Sequence, residues 1–421
     1  MRIRVILLVN VTTLTAVYRL RAALPLWPGV SRSESKIFQV VRGDTRHDRQ
    51  RAPLPGLPEL TAAEPRGGSR VVLVSLAHDD YVLPRFRAAF TRAVSAGGQD
   101  PHRYDVDFSH EVPVGDAVAG LAVAPPVRLT AAHLDGLPGL RVAAAVAAGH
   151  DHLDAVALAA RGITLTHTPG YCDTEVADHA IAMTCALLRN LHVGDAQVRG
   201  GGWSSRAVGA RRITGASLGV VGLGRTGTLV ARRAAALGLH VLAWAPRTPA
   251  DTVRALGATP VERLGDLLEA SDVVTLHVPL TPDTKHLIDA DALARMRPGA
   301  SLVNCGRGGL VDLGALRAAL ESGHLSGAAL DVLDEEPPPV DHVARVLPRT
   351  ILTPHLAWLS PESEFASYEM AAASIAAVLA GQDPPHTVPA DTVPADRGPA
   401  DTVPADRGPA DRGPADTGRP E

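Results

Sequence analysis

The sequence predicts an α/β fold with two doubly wound parallel-sheet domains and disordered termini, and three observations carry that expectation. Short β-rich runs alternate with amphipathic helical runs through the middle of the chain. A glycine-rich turn, GLGRTG at 222–227, lies between one expected strand and the helix that follows it. Both ends lack any sustained apolar period.

The first series has expected strands at 71–76, 117–122 and 141–146, with helices at 84–94 and 152–160 between them. An Ala-rich run at 175–199 predicts one long helix. The second series runs strand 218–221, helix 226–237, strand 240–244 and helix 264–270, then strands at 272–277, 301–304 and 328–331. A last amphipathic helix is expected at 363–380. Such alternation builds parallel sheets through right-handed βαβ crossovers.

The ends read differently. Residues 1–69 carry Pro53, Pro55, Pro58 and Pro65 without a period and read as an extension. Arg2 and Arg4 precede a mildly apolar stretch that imitates a secretion signal, but Asn10, Thr12, Thr13 and Thr15 interrupt it and no small-residue cleavage site closes it. Residues 386–421 contain the unit DTVPADRGPA at 391–400 and again at 401–410. Such a tail buries too little apolar surface to offset the entropy of ordering, so disorder is expected.

Bulk properties narrow the function. A chain of 421 residues can hold two ordinary domains. With 46% hydrophobic and 20% charged residues it reads as globular, and a formal charge of −4 without a basic face argues against nucleic acid as a partner. No run of about 18 apolar residues suggests a membrane span. Cys172, Cys185 and Cys305 are too few and scattered for a disulfide framework or a zinc knuckle, so a reducing, cytoplasmic setting is expected.

Gly222, Gly224 and Gly227 follow the G-x-G-x-x-G pattern. The first permits a tight turn, the second lets the backbone approach a pyrophosphate, and the third lets the helix pack on the strand with its amides toward the phosphates. Alone the pattern is weak, and a purely structural turn is the alternative. The preceding strand, the following helix and the next strand at His240 supply the context that points to a dinucleotide. An acidic residue about 20 positions on would bond the ribose 2′-hydroxyl of NAD. Ala245 stands there instead, with Arg247 and Thr248 after it, a guanidinium and a hydroxyl suited to a 2′-phosphate. NADP is thereby favoured over NAD, or both are accepted; an exposed Arg in a turn is the plainer alternative.

Three further segments place a polar residue just past an expected strand end: Arg307 in NCGRGGLVD, Glu336 at the end of ALDVLDEEP, and His355 in TPHLAW. Ligands bind at such ends in open α/β sheets. Reducing a 2-keto acid needs a proton for the carbonyl oxygen and a cation for the carboxylate. An imidazole titrates near neutrality and can give the proton, a carboxylate such as Glu336 can favour and orient its charged form, and the fork of Arg307 matches paired oxygens. Singly, Arg307 bridging loops, Glu336 facing solvent or His355 capping a strand would serve as well, and Glu335 rivals Glu336. The conjunction in order favours catalysis.

From residues 78 to 380 these segments resemble the signatures of the D-isomer-specific 2-hydroxyacid dehydrogenases, together with AAGHDHLD at 147–154 and HVPLTPDT at 277–284. YCDTEVADH at 171–179 and the Ala357–Trp358 pair resemble the branch related to C-terminal-binding proteins, which includes transcriptional corepressors. The resemblance implies a Rossmann-type cofactor domain and a flavodoxin-like, split substrate domain. The implied division is substrate domain at 70–172, cofactor domain at 173–354 and return to the substrate domain at 355–385. A homodimer formed through the cofactor domains and the long helix is also implied.

Carried over residue by residue, Gly222, Gly224, Arg225, Thr226 and Gly227 would hold the pyrophosphate, and Arg247 with Thr248 the ribose end. His277, Val278, Pro279, Thr284, Cys305, Gly306 and Ala357 would line the cofactor site, with Asp331 on the nicotinamide amide. Ala148 and Gly149 would offer amides to the substrate carboxylate beside Arg307; Trp358 either walls the reacting carbon or simply packs. His355, Glu336 and Arg307 would be catalytic, and no metal is called for.

Two departures stand out. Ala145 occupies a place where that branch often has Arg, which argues against a strongly cationic substrate pocket, and Ala245 replaces the usual acid. His150 and His152 replace other residues in the substrate loop. Besides a reductase of a small 2-keto acid, the fold could serve an NAD(P)H-sensing, corepressor-like binding protein, although the intact Arg307, Glu336 and His355 disfavour that. Formate-type relatives pair His with Gln, which Glu336 argues against.

Overall fold

The computed structural model describes residues 69–77 and 79–389 of the chain. Of the expected extension at 1–69, Ser69 instead opens the first strand; residues 1–68, and the part of the expected 386–421 tail from 390 onward, lie outside the described residues.

The first sheet is built from β1 (Ser69–Val74), β2 (Tyr104–Ser109), β3 (Val118–Val123), β4 (Val142–Ala145) and β5 (Thr164–Thr166). Its order is β2-β1-β3-β4-β5 and every pairing is parallel. This is the flavodoxin-like order. The helices α1 (Asp79–Ala96), α2 (Ala131–Leu134) and α3 (Ala155–Ala160) connect it. Strands β3 and β4 read VAGLAV and VAAA and are buried throughout, as strands covered on both faces must be.

One cover comes from far along the chain. Tyr368 and Ile375 of the C-terminal helix (Pro361–Leu379, α12 in chain order) join Phe86 and Phe90 of α1 in one core over this sheet. A Cβ added at Gly120 on β3 would lie 2.8 Å from Ile375 Cγ2, so glycine lets that helix approach. The lobe is therefore made from two separated stretches of chain.

Between those stretches lies the second series. It comprises α4 (Asp173–Leu188), α5 (Leu191–Arg199), α6 (Ser205–Val208), β6 (Ser217–Val221), α7 (Arg225–Ala236), β7 (His240–Trp244), α8 (Ala250–Ala255) and β8 (Ala258–Pro260). It continues with α9 (Leu264–Ala270), β9 (Val273–Leu276), α10 (Ala290–Arg295), β10 (Ser301–Asn304), α11 (Leu313–Glu321), β11 (Gly327–Leu330) and β12 (Thr350–Leu352). The seven strands are ordered β12-β11-β10-β9-β6-β7-β8, all parallel. Counted from β6 this is the Rossmann order with one more strand, and the winding reverses between β6 and β9. Met183 and Leu187 of α4 pack with Val230 of α7 on one face, and Leu267, Leu293 and Leu316 of α9, α10 and α11 pack on the other. Asp289 and Asp312 cap α10 and α11 by accepting the N–H groups of Ala292 and Ala315, each cap being worth about 1 kcal/mol.

The expected helix at 175–199 is two helices. Asn190 breaks it with φ 48°, and its amide donates to the carbonyls of Val208 and Gly209, which holds a left-handed conformation that Asn tolerates well. Residues 386–388 also belong to the ordered part. His386 and Thr387 lie beside β5, and the Val388 amide donates to Leu165, so the chain stays on the first sheet past 385. No described helix is long and apolar enough to cross a membrane.

Candidate active site

The carboxyl ends of β6 and β9 meet at the winding reversal, where the glycine turn lies. Gly222 adopts φ +95°, and a Cβ there would sit 2.6 Å from the His277 carbonyl oxygen. A Cβ at Gly227 would collide with the Gly222 carbonyl. Those two glycines are required by packing within the protein itself. Gly224 is not: nothing lies within 4 Å of where its Cβ would be, and it is the N-cap of the 12-residue α7. A backbone that opens onto free space at a helix N-terminus fits a pyrophosphate, so the residues present fit a dinucleotide.

Around that turn the expected cofactor residues divide. Thr226 is half-buried in the first turn of α7, while Arg225 turns aside, with Nε donating to Asp173 at 2.6 Å. Val278 packs against Gly222. Thr284 is spent inside its own loop, its hydroxyl donating to the Pro279 carbonyl at 2.7 Å. His277 bonds Thr275 at 2.9 Å, and burial pushes its imidazole down to about 4, so it is neutral at pH 7. The Cys305 thiol faces Met183 of α4 at 3.7 Å, and burial raises its pKa, which makes it an inert core group. Gly306 donates its amide to Asn304 Oδ1. At the end of β7, Ala245–Thr248 form a turn with Arg247 exposed and without an ion pair among the described residues.

The expected catalytic residues come together. His355 Nδ1 and Glu336 Oε2 are 2.6 Å apart, and Glu336 Oε1 accepts the Leu333 amide at 2.8 Å. Partial burial alone would raise the Glu336 carboxyl, but the bond and charge of His355 outweigh it and its pKa lies below the usual carboxylate range. Glu335 is exposed and makes no bond to His355 among the described residues. His355 itself sits at φ +51°, an unusual backbone state for a side-chain-bearing residue.

Arg307 follows β10 and reaches the loop after β4. Its guanidinium lies against Gly149, where any Cβ would strike it, and donates to Asp151 Oδ1 at 3.2 Å. Asn304 steadies the turn by donating to the Arg307 carbonyl at 2.9 Å. Burial would raise Asp151, but Arg307 prevails and holds the carboxyl below its ordinary value. Ala148 is exposed beside Gly149, and its carbonyl bonds His167 Nδ1 at 2.8 Å. His150 packs edge-on against His167, and burial lowers its pKa.

Two expectations take a different form. Trp358 is paired with Tyr171, ring centroids 6.2 Å apart, so the two chain crossings between the lobes meet there. Asp331, expected on a cofactor amide, is buried and already accepts the amides of Leu356 and Ala357. Sequence reasoning missed Asp151, Asn304, Thr353 and His179 as members of the site. All four lie within motifs that had been singled out, and their position was the available signal.

The D-isomer specific 2-hydroxyacid dehydrogenase NAD binding domain matches residues 181–357. A glyoxylate reductase of Korarchaeum cryptofilum is 38% identical over 279 residues, 65% of this chain and 82% of that protein. An (S)-sulfolactate dehydrogenase of Chromohalobacter salexigens is 39% identical over 249 residues, 59% of this chain and 81% of that protein. Among solved structures, the NAD-dependent formate dehydrogenase of Staphylococcus aureus in complex with NAD superposes with a TM-score of 0.61 at 29% identity, covering 71% of this chain and 92% of that one.

Proposed function

The chain belongs to the D-isomer-specific 2-hydroxyacid dehydrogenase family, and we propose that it interconverts a small 2-keto acid and its D-2-hydroxy acid with His355 as the acid–base group. The observation that carries this is the 2.6 Å His355–Glu336 contact with Arg307 held against the Gly149 loop.

A nicotinamide cofactor held at the Gly222–Gly227 turn would supply the hydride for the carbonyl carbon. The protein's own residues do the rest. Arg307 takes the substrate carboxylate, helped by the amides of Ala148 and Gly149, and so aims the carbonyl at the imidazole. Glu336 binds Nδ1, which leaves Nε2 to donate its proton to the carbonyl oxygen. The neutral imidazole then regains a proton from solvent, to which His355 is exposed. In the oxidative direction the same nitrogen accepts the hydroxyl proton. Asp331 would lie beside the nicotinamide amide.

NADP is favoured over NAD on the strength of Ala245 and the exposed Arg247. A homodimer is proposed through α5 and the loop after it. Leu191, Val198 and Trp203 line one groove there, and Trp203 is 89% exposed. An apolar patch rimmed by Arg189, Asp195 and Arg206 suits a second copy.

The test is oxidation of NADPH and NADH by purified protein across glyoxylate, hydroxypyruvate and bulkier 2-keto acids, with the product's configuration assigned. Turnover to a D-2-hydroxy acid, faster with NADPH, is expected. Cofactor binding without turnover on any of them would overturn the enzymatic reading in favour of a sensor.

A further inference from the structure

Three successive backbone amides after β12 converge on one residue. His355 donates to the Asp331 carbonyl at 2.8 Å, Leu356 to Asp331 Oδ1 at 2.9 Å, and Ala357 to Asp331 Oδ2 at 2.9 Å. Thr353 Oγ1 adds a 2.5 Å bond to Oδ1. Asp331 is 2% exposed, so these donors stand where water would otherwise be. The Leu356 and Ala357 amides wrap round the carboxylate as in a nest while the His355 amide meets the Asp331 backbone carbonyl, and a left-handed residue is one way to turn successive amides to one side. That residue is His355, at φ +51°.

The brace extends one step further. His179 on α4 lies with Nε2 3.2 Å from Thr353 Oγ1 and 3.8 Å from Asp331 Oδ1. Because the threonine hydrogen is committed to Asp331, the imidazole is the donor of that contact. The helix that covers the second sheet is thereby tied to the turn that presents His355. Without the carboxylate, the buried Ala357 amide and the part-buried Leu356 amide and Thr353 hydroxyl would lose their acceptor. His355 would then be free to relax to negative φ, which swings its ring away from Glu336.

We infer that Asp331, braced by Thr353 and His179, is a positioning residue that holds His355 in the left-handed conformation its contact with Glu336 requires. The inference rests on the reading of His355 as the acid–base group. It adds to a role for Asp331 at the cofactor, since three of its contacts are spent on the His355 turn and Thr353.

The experiment measures kcat, the Kd for NADPH by its fluorescence, and the downfield proton resonance of the His355–Glu336 bond in Asp331→Asn, Thr353→Val and Thr353→Ser. Asp331→Asn should lower kcat about 100-fold. The resonance should vanish with it, and in Thr353→Val, a residue with no assigned cofactor contact, Kd should stay within about threefold, a shift of under 1 kcal/mol in binding. Thr353→Val should cost about tenfold in kcat, the worth of one bond to a charged group, while Thr353→Ser restores it. A Kd raised in step with the loss of kcat, with the resonance intact, would overturn the inference and leave Asp331 a cofactor ligand only. Should Asp331→Asn not fold, the Thr353 pair decides alone: equal activity of the Val and Ser variants overturns it. His355→Ala keeps the two readings apart. If it turns over, the acid–base reading fails; if it is inactive while Asp331→Asn is unimpaired, the positioning inference fails.

Discussion

The carboxyl edges of the two sheets are furnished differently. Behind the seven-stranded sheet stand fixed, hydrogen-bonded groups: the Gly222 turn, Asn304 steadying Arg307, Asp331 enclosed by its nest, and Glu336 held by the Leu333 amide. Behind the five-stranded sheet, the loop after β4 offers an exposed Ala148, a glycine against which Arg307 rests, and Asp151. On the proposed reading, the larger sheet carries the groups that would bind a cofactor and move a proton. The smaller one supplies backbone and a counter-charge. On that reading the chemistry would lie in fixed side chains, and substrate selection in a loop that offers mainly backbone.

The strongest way to break this contrast is to add one methyl group to each edge. Gly149→Ala places a Cβ against the Arg307 guanidinium and should lower kcat/KM about 100-fold, the scale of losing one fixed donor at a reacting centre. Its thermal midpoint should stay within about 2 °C of the parent, since the guanidinium can swing into the cleft. Gly227→Ala meets the Gly222 carbonyl, which cannot swing, and should cost about 1–3 kcal/mol of stability in a denaturant titration. If both variants lose stability alike, the two edges are equally rigid and the contrast fails.

How much of this was legible in the sequence follows the same division. Strands β7 and β10 and helix α9 were bounded correctly, because β10 is buried throughout, β7 alternates buried and open positions, and α9 buries Leu267 and Leu268 on one face. Strand β2, YDVDFS, was missed: it is a sheet edge with alternating charge and no fully buried residue. Strands β5, β8 and β12 are three residues each, too short to show a period. The helix break at Asn190 has no local apolar signature and depends on carbonyls of Val208 and Gly209. The motifs located Arg307, Glu336 and His355. That Asp151 meets Arg307, and that Thr353 and His179 converge on Asp331, are contacts between distant stretches, and no local pattern encodes them.

Smaller effects sharpen the picture. Arg247→Ser should shift the ratio of kcat/KM for NADPH over NADH toward NADH by about tenfold, the worth of one bond to a charged group, and leave activity with NADH unchanged. Equal use of both cofactors by parent and variant would remove Arg247 from the ribose site. The smallest effect concerns pH. Asp151 and Glu336 both have carboxyls depressed in the folded protein. Each therefore contributes stability above the unfolded carboxylate range, and the contribution is lost as pH falls through the depressed value. The thermal midpoint of Asp151→Asn should sit slightly below that of the parent at pH 7, and the gap should close below about pH 4. A gap that widens in acid would reverse the assigned direction.

On the proposed reading, one imidazole, held by Glu336, moves the proton. This is tested most directly by the steady-state oxidation of NADPH with the best 2-keto acid, comparing parent and His355→Ala at saturating substrate, with cofactor binding measured on the same samples. A fall in kcat of about 1,000-fold with cofactor affinity preserved is expected. A variant that turns over at the parental rate would contradict it and move the acid–base role to another residue.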